Sequence, residues 1–205
     1  WETSLKNYYS YISIERNLSK NSIEAYMRDI KQFSKFHNKI NPLTIKRRDI
    51  LNYIDYINKH NISGRSQARI LSSIRSFYNF LIFDEKIDKD PCEYIYSPKI
   101  GSKIPNTLSV EEIDQMIKSI DLSTENGERN RAIIECLYSC GLRVSELTSL
   151  QISNILFDED IIIINGKGDK QRIIPLNKTL KIYLENYIKL IRSQKNINQN
   201  DTDTV

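Results

Sequence analysis

Residues 1–90 divide into four blocks in which apolar side chains return every three or four positions, the spacing that lines one face of an α-helix. Leu5 to Ile14 is a short apolar-aromatic block. After NLSKNS, a stretch rich in capping residues, Ile23, Tyr26, Met27, Ile30 and Phe33 recur with helical period. A third block begins near Thr44 and carries Ile50, Ile54 and Ile57. The fourth, SGRSQARILSSIRSFYNFLIF, gathers Ile70, Ile74, Phe77, Tyr78 and Leu81 on one face when laid out at about 100° per residue. Arg65, Arg69, Ser72 and Ser76 fall on the opposite face.

The period breaks at DPCEYIYSPKIGSKIPN. Pro91, Pro98 and Pro105 each remove a backbone donor and fix φ, and Gly101 sits among them, so residues 91–106 read as an extended linker. Beyond it, LSVEEIDQMIKSI places Ser109 and Glu112 at capping-box spacing before an apolar run. A second helix covers roughly Arg129 to Cys140 and stops at Gly141, a residue that takes the left-handed conformation past a helix end. The period then changes. Ile161–Ile164 and RIIPL are β-branched runs around NGKGDKQ, a hairpin signal with Lys167 on its turn. The fold expected is mainly α with a small β-hairpin, in two domains, 1–90 and 107–205.

Composition narrows the class. In a chain of 205 residues, 40% hydrophobic content and six glycines suit a folded helical protein. No apolar stretch is long enough to span a bilayer and no signal-peptide pattern opens the chain, so no membrane association is expected. The first residue is Trp1 rather than Met, so residues upstream are expected. Cys92, Cys136 and Cys140 cannot all pair internally and form no CxxC. Cys136 and Cys140 share a helix face, but with no His nearby they read as buried apolar groups in a reducing cytoplasm rather than as metal ligands. Apart from the Asn/Asp-rich end NINQNDTDTV, no low-complexity segment is present.

The net charge of +4 is unevenly placed. Residues 1–100 carry 17 Lys/Arg and 11 Asp/Glu, net +6; residues 101–205 carry 13 and 15, net −2. The positive field belongs to the first domain, as expected of a module that meets a polyanion. No acid occurs between Asp55 and Asp84, so the polar face of the fourth helix offers arginine and small hydroxyls without counter-charge. Arginine suits phosphate oxygens and guanine edges, and serine lets a backbone come close. This predicts a DNA-facing helix bearing Arg65, Ser66, Arg69, Ser72 and Ser76. Ser22, Arg28 and Arg47 (within IKRRD) are further candidates, although a solvated helix start has the same composition.

In the second domain the informative stretch is CGLRVSEL. A guanidinium just past a buried helix can hold two non-bridging phosphate oxygens and stabilise charge developing on phosphorus. A lysine on a hairpin turn can neutralise or protonate a leaving oxygen. Singly, each has a plain alternative: Arg143 pairing with Glu146, and Lys167 simply solvated. GKG is not a nucleotide-binding loop, because the GxxxxGK[ST] spacing and its following helix are missing.

YSCGLRVSELTSLQISNI followed by INGKGDKQRIIPL resembles the first catalytic box and β-hairpin of the tyrosine recombinases, and of their bacterial Xer group in particular. ERNLSKNSIEAYMRDIKQF, ARILSSIRSFYNFL and DPCEYIYSPKI resemble that group's DNA-gripping domain and linker. The resemblance implies a helical SAM-like DNA-binding domain followed by the N-terminal part of an α+β catalytic domain, the two closing on double-stranded DNA as a clamp. It implies attack by a tyrosine on the scissile phosphate, a 3′-phosphotyrosyl link and a freed 5′-hydroxyl, with no metal, ATP or other cofactor. By the same match Arg143 would clamp the scissile phosphate, Lys167 would be the general acid and Glu146 would support Arg143. Lys170 and Arg172 on the hairpin would meet DNA, and sister protomers would join in a tetrameric synapse.

The departure is equally definite. The family's HxxR box, its later His or Trp and its nucleophilic tyrosine have no counterpart here: His37 and His60, the sole histidines, lie in the first domain and neither begins an HxxR. Tyr183 and Tyr187 sit in LKIYLENYIKLI, whose spacing suggests packing. The expectation is a piece of a longer recombinase, unable to cleave alone, with chromosome-dimer resolution at a palindromic site as the whole enzyme's role. A mobile-element integrase and a non-catalytic DNA-binding truncated recombinase are the alternatives; a type IB topoisomerase is more distant.

Overall fold

A computed structural model of the protein describes residues 1–98, 101, 105–166, 170–194 and 203–205. The chain forms two compact units, Trp1–Ile104 and Pro105–Val205.

The first unit is helical. Helix α1 (Glu2–Ser10) runs on as a π-helical turn, Tyr11–Glu15, and is followed by α2 (Lys20–Phe36), α3 (Arg47–Lys59) and α4 (Gly64–Phe83). The apolar stripe of α4 behaves as its period predicts: Ile70, Ile74, Phe77, Tyr78 and Leu81 are all buried. They pack against Tyr8 and Ile12, Ile30 and Phe33, and Ile50, Tyr53 and Ile57 from the other helices. Ser63 starts α4 by accepting the backbone N–H of Ser66, which satisfies one of the donors a helix start leaves unpaired.

Aromatic edges fill much of this core. Phe33 meets the edges of Trp1 and Tyr53, and Tyr8 meets Phe77 at 5.3 Å and 90°. Trp1 stacks on Phe77, and its indole N–H donates to the Ile40 carbonyl at 2.8 Å. The proline-rich stretch after residue 90 is not free of this unit, because Cys92 and Ile95 are buried in the same core. Arg75 of α4 donates to the carbonyl of Ile95.

The second unit is α+β. The Ser109–Glu112 capping box opens α5 (Val110–Lys118): the Glu112 N–H reaches Ser109 Oγ at 3.2 Å, and the Ser109 N–H reaches the Glu112 carboxylate at 2.7 Å. Then come α6 (Gly127–Ser139), the short α7 (Val144–Thr148), strands β1 (Ile155–Leu156), β2 (Ile161–Asn165) and β3 (Gln171–Pro175), and α8 (Lys178–Asn186) with a π-helical turn, Tyr187–Ile191. The strands form an antiparallel meander in the order β1-β2-β3. The hairpin β2–β3 is the one its sequence predicts; β1 is too short to have shown a strand period. Ile162 and Ile164 turn inward onto Ala132 and Cys136 of α6 and Leu180 and Leu184 of α8.

Within the Asn/Asp-rich end, Asp203 and Val205 are tied to the second unit. The Asp203 carboxylate accepts both the backbone N–H and the hydroxyl of Ser153, and the Val205 N–H donates to Leu150. No helix among the described residues is long and apolar enough to cross a membrane.

Candidate functional site: two arginines on one carboxylate

The loop between α6 and α7 explains where Arg143 lies. Cys140 ends α6, Gly141 takes a left-handed φ of +56°, Leu142 returns to the core and Arg143 turns outward at the start of α7. An L side chain at residue 141 would be strained in that conformation, so glycine there is a backbone requirement.

Glu146, one turn into α7, is the centre of the site. Its side chain is 5% exposed, against 72% for that of Arg143. One carboxylate oxygen accepts Arg143 Nη1 at 2.8 Å and Arg172 Nη1 at 2.7 Å; the other accepts the Arg143 backbone N–H at 2.8 Å and Arg172 Nη2 at 2.8 Å. Arg172 thus makes a two-pronged fork, the geometry that planar guanidinium and carboxylate groups share. The Arg172 fork, the Arg143 backbone N–H and the Arg143 side chain together hold the Glu146 carboxyl well below the usual carboxylate range. Glu146 in turn raises the Arg172 pKa.

Sheet register brings Arg172 to this point. It pairs with Ile164, and Ile174 pairs with Ile162, so Arg172 stands on the inward-facing side of the hairpin. There it is half-buried rather than fully exposed. The hairpin base closes with the Gly166 N–H on the Lys170 carbonyl at 2.8 Å. A Cβ at Gly166 would lie 3.1 Å from that carbonyl oxygen and 3.9 Å from Glu146 Oε1, so only a very small residue lets the hairpin lie this close to the carboxylate. Lys170 is exposed; Lys167 lies outside the described residues.

Cys136 and Cys140 are buried, and burial pushes the Cys136 thiol up to about 12. No cluster of three or more His, Cys, Asp or Glu suited to a metal occurs among the described residues. Tyr187 is packed in the core, and the Arg131 guanidinium lies 4.1 Å over the ring of Tyr183.

In the first unit the predicted DNA-facing residues divide into two sets. Arg65, Ser72, Arg28 and Arg47 are exposed, with Arg47 also reaching the Tyr94 carbonyl at 3.3 Å. Ser66 and Ser22 are half-buried at the starts of α4 and α2, and Ser22 shares a hydroxyl contact with Ser19 at 2.9 Å. Ser76 accepts the phenol hydrogen of Tyr8 at 2.9 Å. Arg69 is bound to Asp29 of α2, which is 1% exposed and also accepts the Ser73 hydroxyl at 2.8 Å. The acid-free run of α4 therefore does have a counter-charge, supplied 40 residues earlier in the chain. The sequence contains no local signal for that pairing.

Residues 5–85 match the family model of the phage integrase N-terminal SAM-like domain, and residues 106–202 match that of the phage integrase family. Tyrosine recombinase XerD of Staphylococcus haemolyticus is 39% identical over 94% of this chain and 66% of its own length. The chain spans only 65–66% of the length of the curated relatives it matches. Among solved structures, a lambda integrase (75–356) dimer bound to a COC′ core site aligns with 92% of this chain and 69% of its own, at 18% identity and a TM-score of 0.72. XerH site-specific recombinase bound to difH substrate aligns over 90% and 57%, at 21% identity and a TM-score of 0.65. These two establish the fold. With both domain models matched in order along almost the whole chain, the protein belongs to the phage integrase family of tyrosine recombinases and is Xer-like within it.

Proposed function

We infer that these residues are the DNA-gripping domain and the first half of the catalytic domain of a site-specific recombinase of the Xer type, acting on double-stranded DNA. The reaction is strand cleavage and rejoining through a 3′-phosphotyrosine, and its biological setting is resolution of chromosome dimers at a palindromic site in the cytoplasm. Partner protomers complete the synapse.

The observation that carries this reading is the Arg143 side chain, tethered among the described residues to the buried Glu146 by Nη1 and 72% exposed. A guanidinium fixed in this way retains further N–H donors for a phosphate. Arg143 clamps the scissile phosphate, Glu146 orients it, and Lys167, which lies between β2 and β3 in the sequence, protonates the departing 5′-oxygen. In the first unit, Arg65, Ser72, Arg28 and Arg47 meet the duplex backbone. The XerD proteins, at 36–39% identity the relatives of this chain, favour this over a mobile-element role. The 205 residues hold the phosphate without cutting it, since they contain no HxxR box.

The test is one binding reaction on a nicked duplex carrying a palindromic Xer-type site, divided between a native gel with competitor DNA and a denaturing gel. A specific shift without a denaturant-stable adduct is expected. An adduct that survives denaturation would assign the chemistry to a tyrosine within this chain, and the absence of any shift would overturn the reading.

A further inference from the structure

We propose that Arg172 is a positioning residue that keeps the Arg143 guanidinium available, by occupying the acceptor sites on Glu146 that Arg143 would otherwise take. This rests on the reading of Arg143 as a phosphate ligand, and it replaces the expectation that Arg172 itself meets DNA.

The argument is one of acceptor capacity. A carboxylate has two oxygens, and its strongest arrangement with an arginine is a fork that uses both. An arginine three residues before a glutamate on the same helical turn is well placed to form that fork, which would fold Arg143 down against α7. In the structure the fork belongs to Arg172, with Nη1 and Nη2 on separate oxygens at 2.7 and 2.8 Å. The second oxygen is further occupied by the Arg143 backbone N–H, so among the described residues the Arg143 side chain keeps a single bond, from Nη1 to Oε1. The exposures agree: the Arg172 side chain is 38% exposed and that of Arg143 is 72%. Arg172 also stands on the inward face of β3, opposite Ile164, where it is directed at Glu146. The same fork fixes the base of the β2–β3 hairpin to the first turn of α7.

Arg172→Lys is the informative variant, because it keeps the charge but cannot reproduce the fork. Side-chain NMR of labelled arginine, following rotation about the Cζ–Nε bond of Arg143 in the free chain, should show that rotation slowed in the variant as Arg143 closes on Glu146. DNA affinity should fall about tenfold, the effect of losing a charge-assisted hydrogen bond. Arg143→Gln should then cost much less in the Arg172→Lys background than in the parent, since Arg143 is already withdrawn. Unchanged rotation, or equal costs of Arg143→Gln in both backgrounds, would overturn the proposal and return Arg172 to an independent DNA contact. If Arg172→Lys fails to fold, by thermal melting, Arg172→Gln provides the same rotation measurement. If the parent chain does not bind duplex, the reading of Arg143 fails, while the rotation measurement still decides whether Arg172 holds it free.

Discussion

Asp29 and Glu146 are both nearly buried carboxylates that receive an arginine, yet they do different work. Asp29 stands inside the α2–α4 packing, and the groups it receives, Arg69 and the Ser73 hydroxyl, both come from α4. It bolts two helices together, with Arg69 left 38% exposed at the margin. Glu146 lies at a helix start beside a hairpin and receives two arginines and a backbone N–H. One of those arginines is spent on the fork and the other remains outside. A buried acid joining elements of one core is a structural part; a buried acid that shares itself between cations sets how much of each cation stays free.

The largest effect that would break this contrast lies in the first unit. Asp29→Ala removes the acceptor of both Arg69 and Ser73 and should cost about 2–3 kcal/mol of that unit's stability. Trp1, the sole tryptophan, is stacked in the same core and reports the transition by fluorescence in a denaturant series. Next, Glu146→Asp retains the charge but draws the carboxylate back by one methylene, so DNA affinity should fall about tenfold in a competition titration. The Trp1 transition should not move. Should Glu146→Asp shift that transition as far as Asp29→Ala does, the distinction between the two acids collapses. Smaller again, Ser76→Ala removes the acceptor of the Tyr8 phenol and should cost about 1 kcal/mol, read in the same denaturant series.

The smallest expected effects are those of pH, and they separate the units by window. His37 is buried against Phe33, Phe36 and Tyr53, and burial lowers its pKa from 6.5. The unfolded chain therefore takes up the proton first. The first unit holds its full stability above pH 6.5 and loses part of it as the pH falls below that value. Glu146 has a folded pKa below its ordinary 4.5, so its contribution is present above 4.5 and is lost as the pH falls further. Hydrogen exchange followed peptide by peptide across the two windows should show the first unit loosening before the second. Glu146→Gln should remove the acid-side response of α7 alone.

Much of this molecule is legible in its residues. The stripe Ile70, Ile74, Phe77, Tyr78 and Leu81 predicts its own burial because a helix repeats locally. The β2–β3 hairpin is readable because two β-branched runs flank a turn. The Ser109–Glu112 box and the stop at Gly141 are likewise short-range devices. What escapes the sequence is long-range or short in extent. Nothing near Arg69 announces Asp29, 40 positions away, and nothing near Arg172 announces Glu146, 26 positions away. Arg172 reads as a surface cation until the register opposite Ile164 shows which side of the sheet it occupies. Two-residue β1 has no period to detect, and the end around Asp203 looks featureless until Ser153 meets it. At the site, the pairing of Arg143 with Glu146 is visible from spacing, and the third member is not.

Charge counting gives the trio a further meaning. Arg143, Glu146 and Arg172 together carry a net +1, while Asp29 and Arg69 sum to zero. On a duplex, each cation that neutralises a phosphate releases condensed counterions, and the slope of log affinity against log salt steepens by about 0.9 per phosphate. On the proposed reading of Arg143 as a phosphate ligand, the whole trio weighs in the ionic-strength dependence as a single phosphate contact, although it contains two arginines. Grip that depends on shape rather than on summed charge is less easily eroded by salt, and it weakens the hold on random DNA, where bulk attraction is all there is.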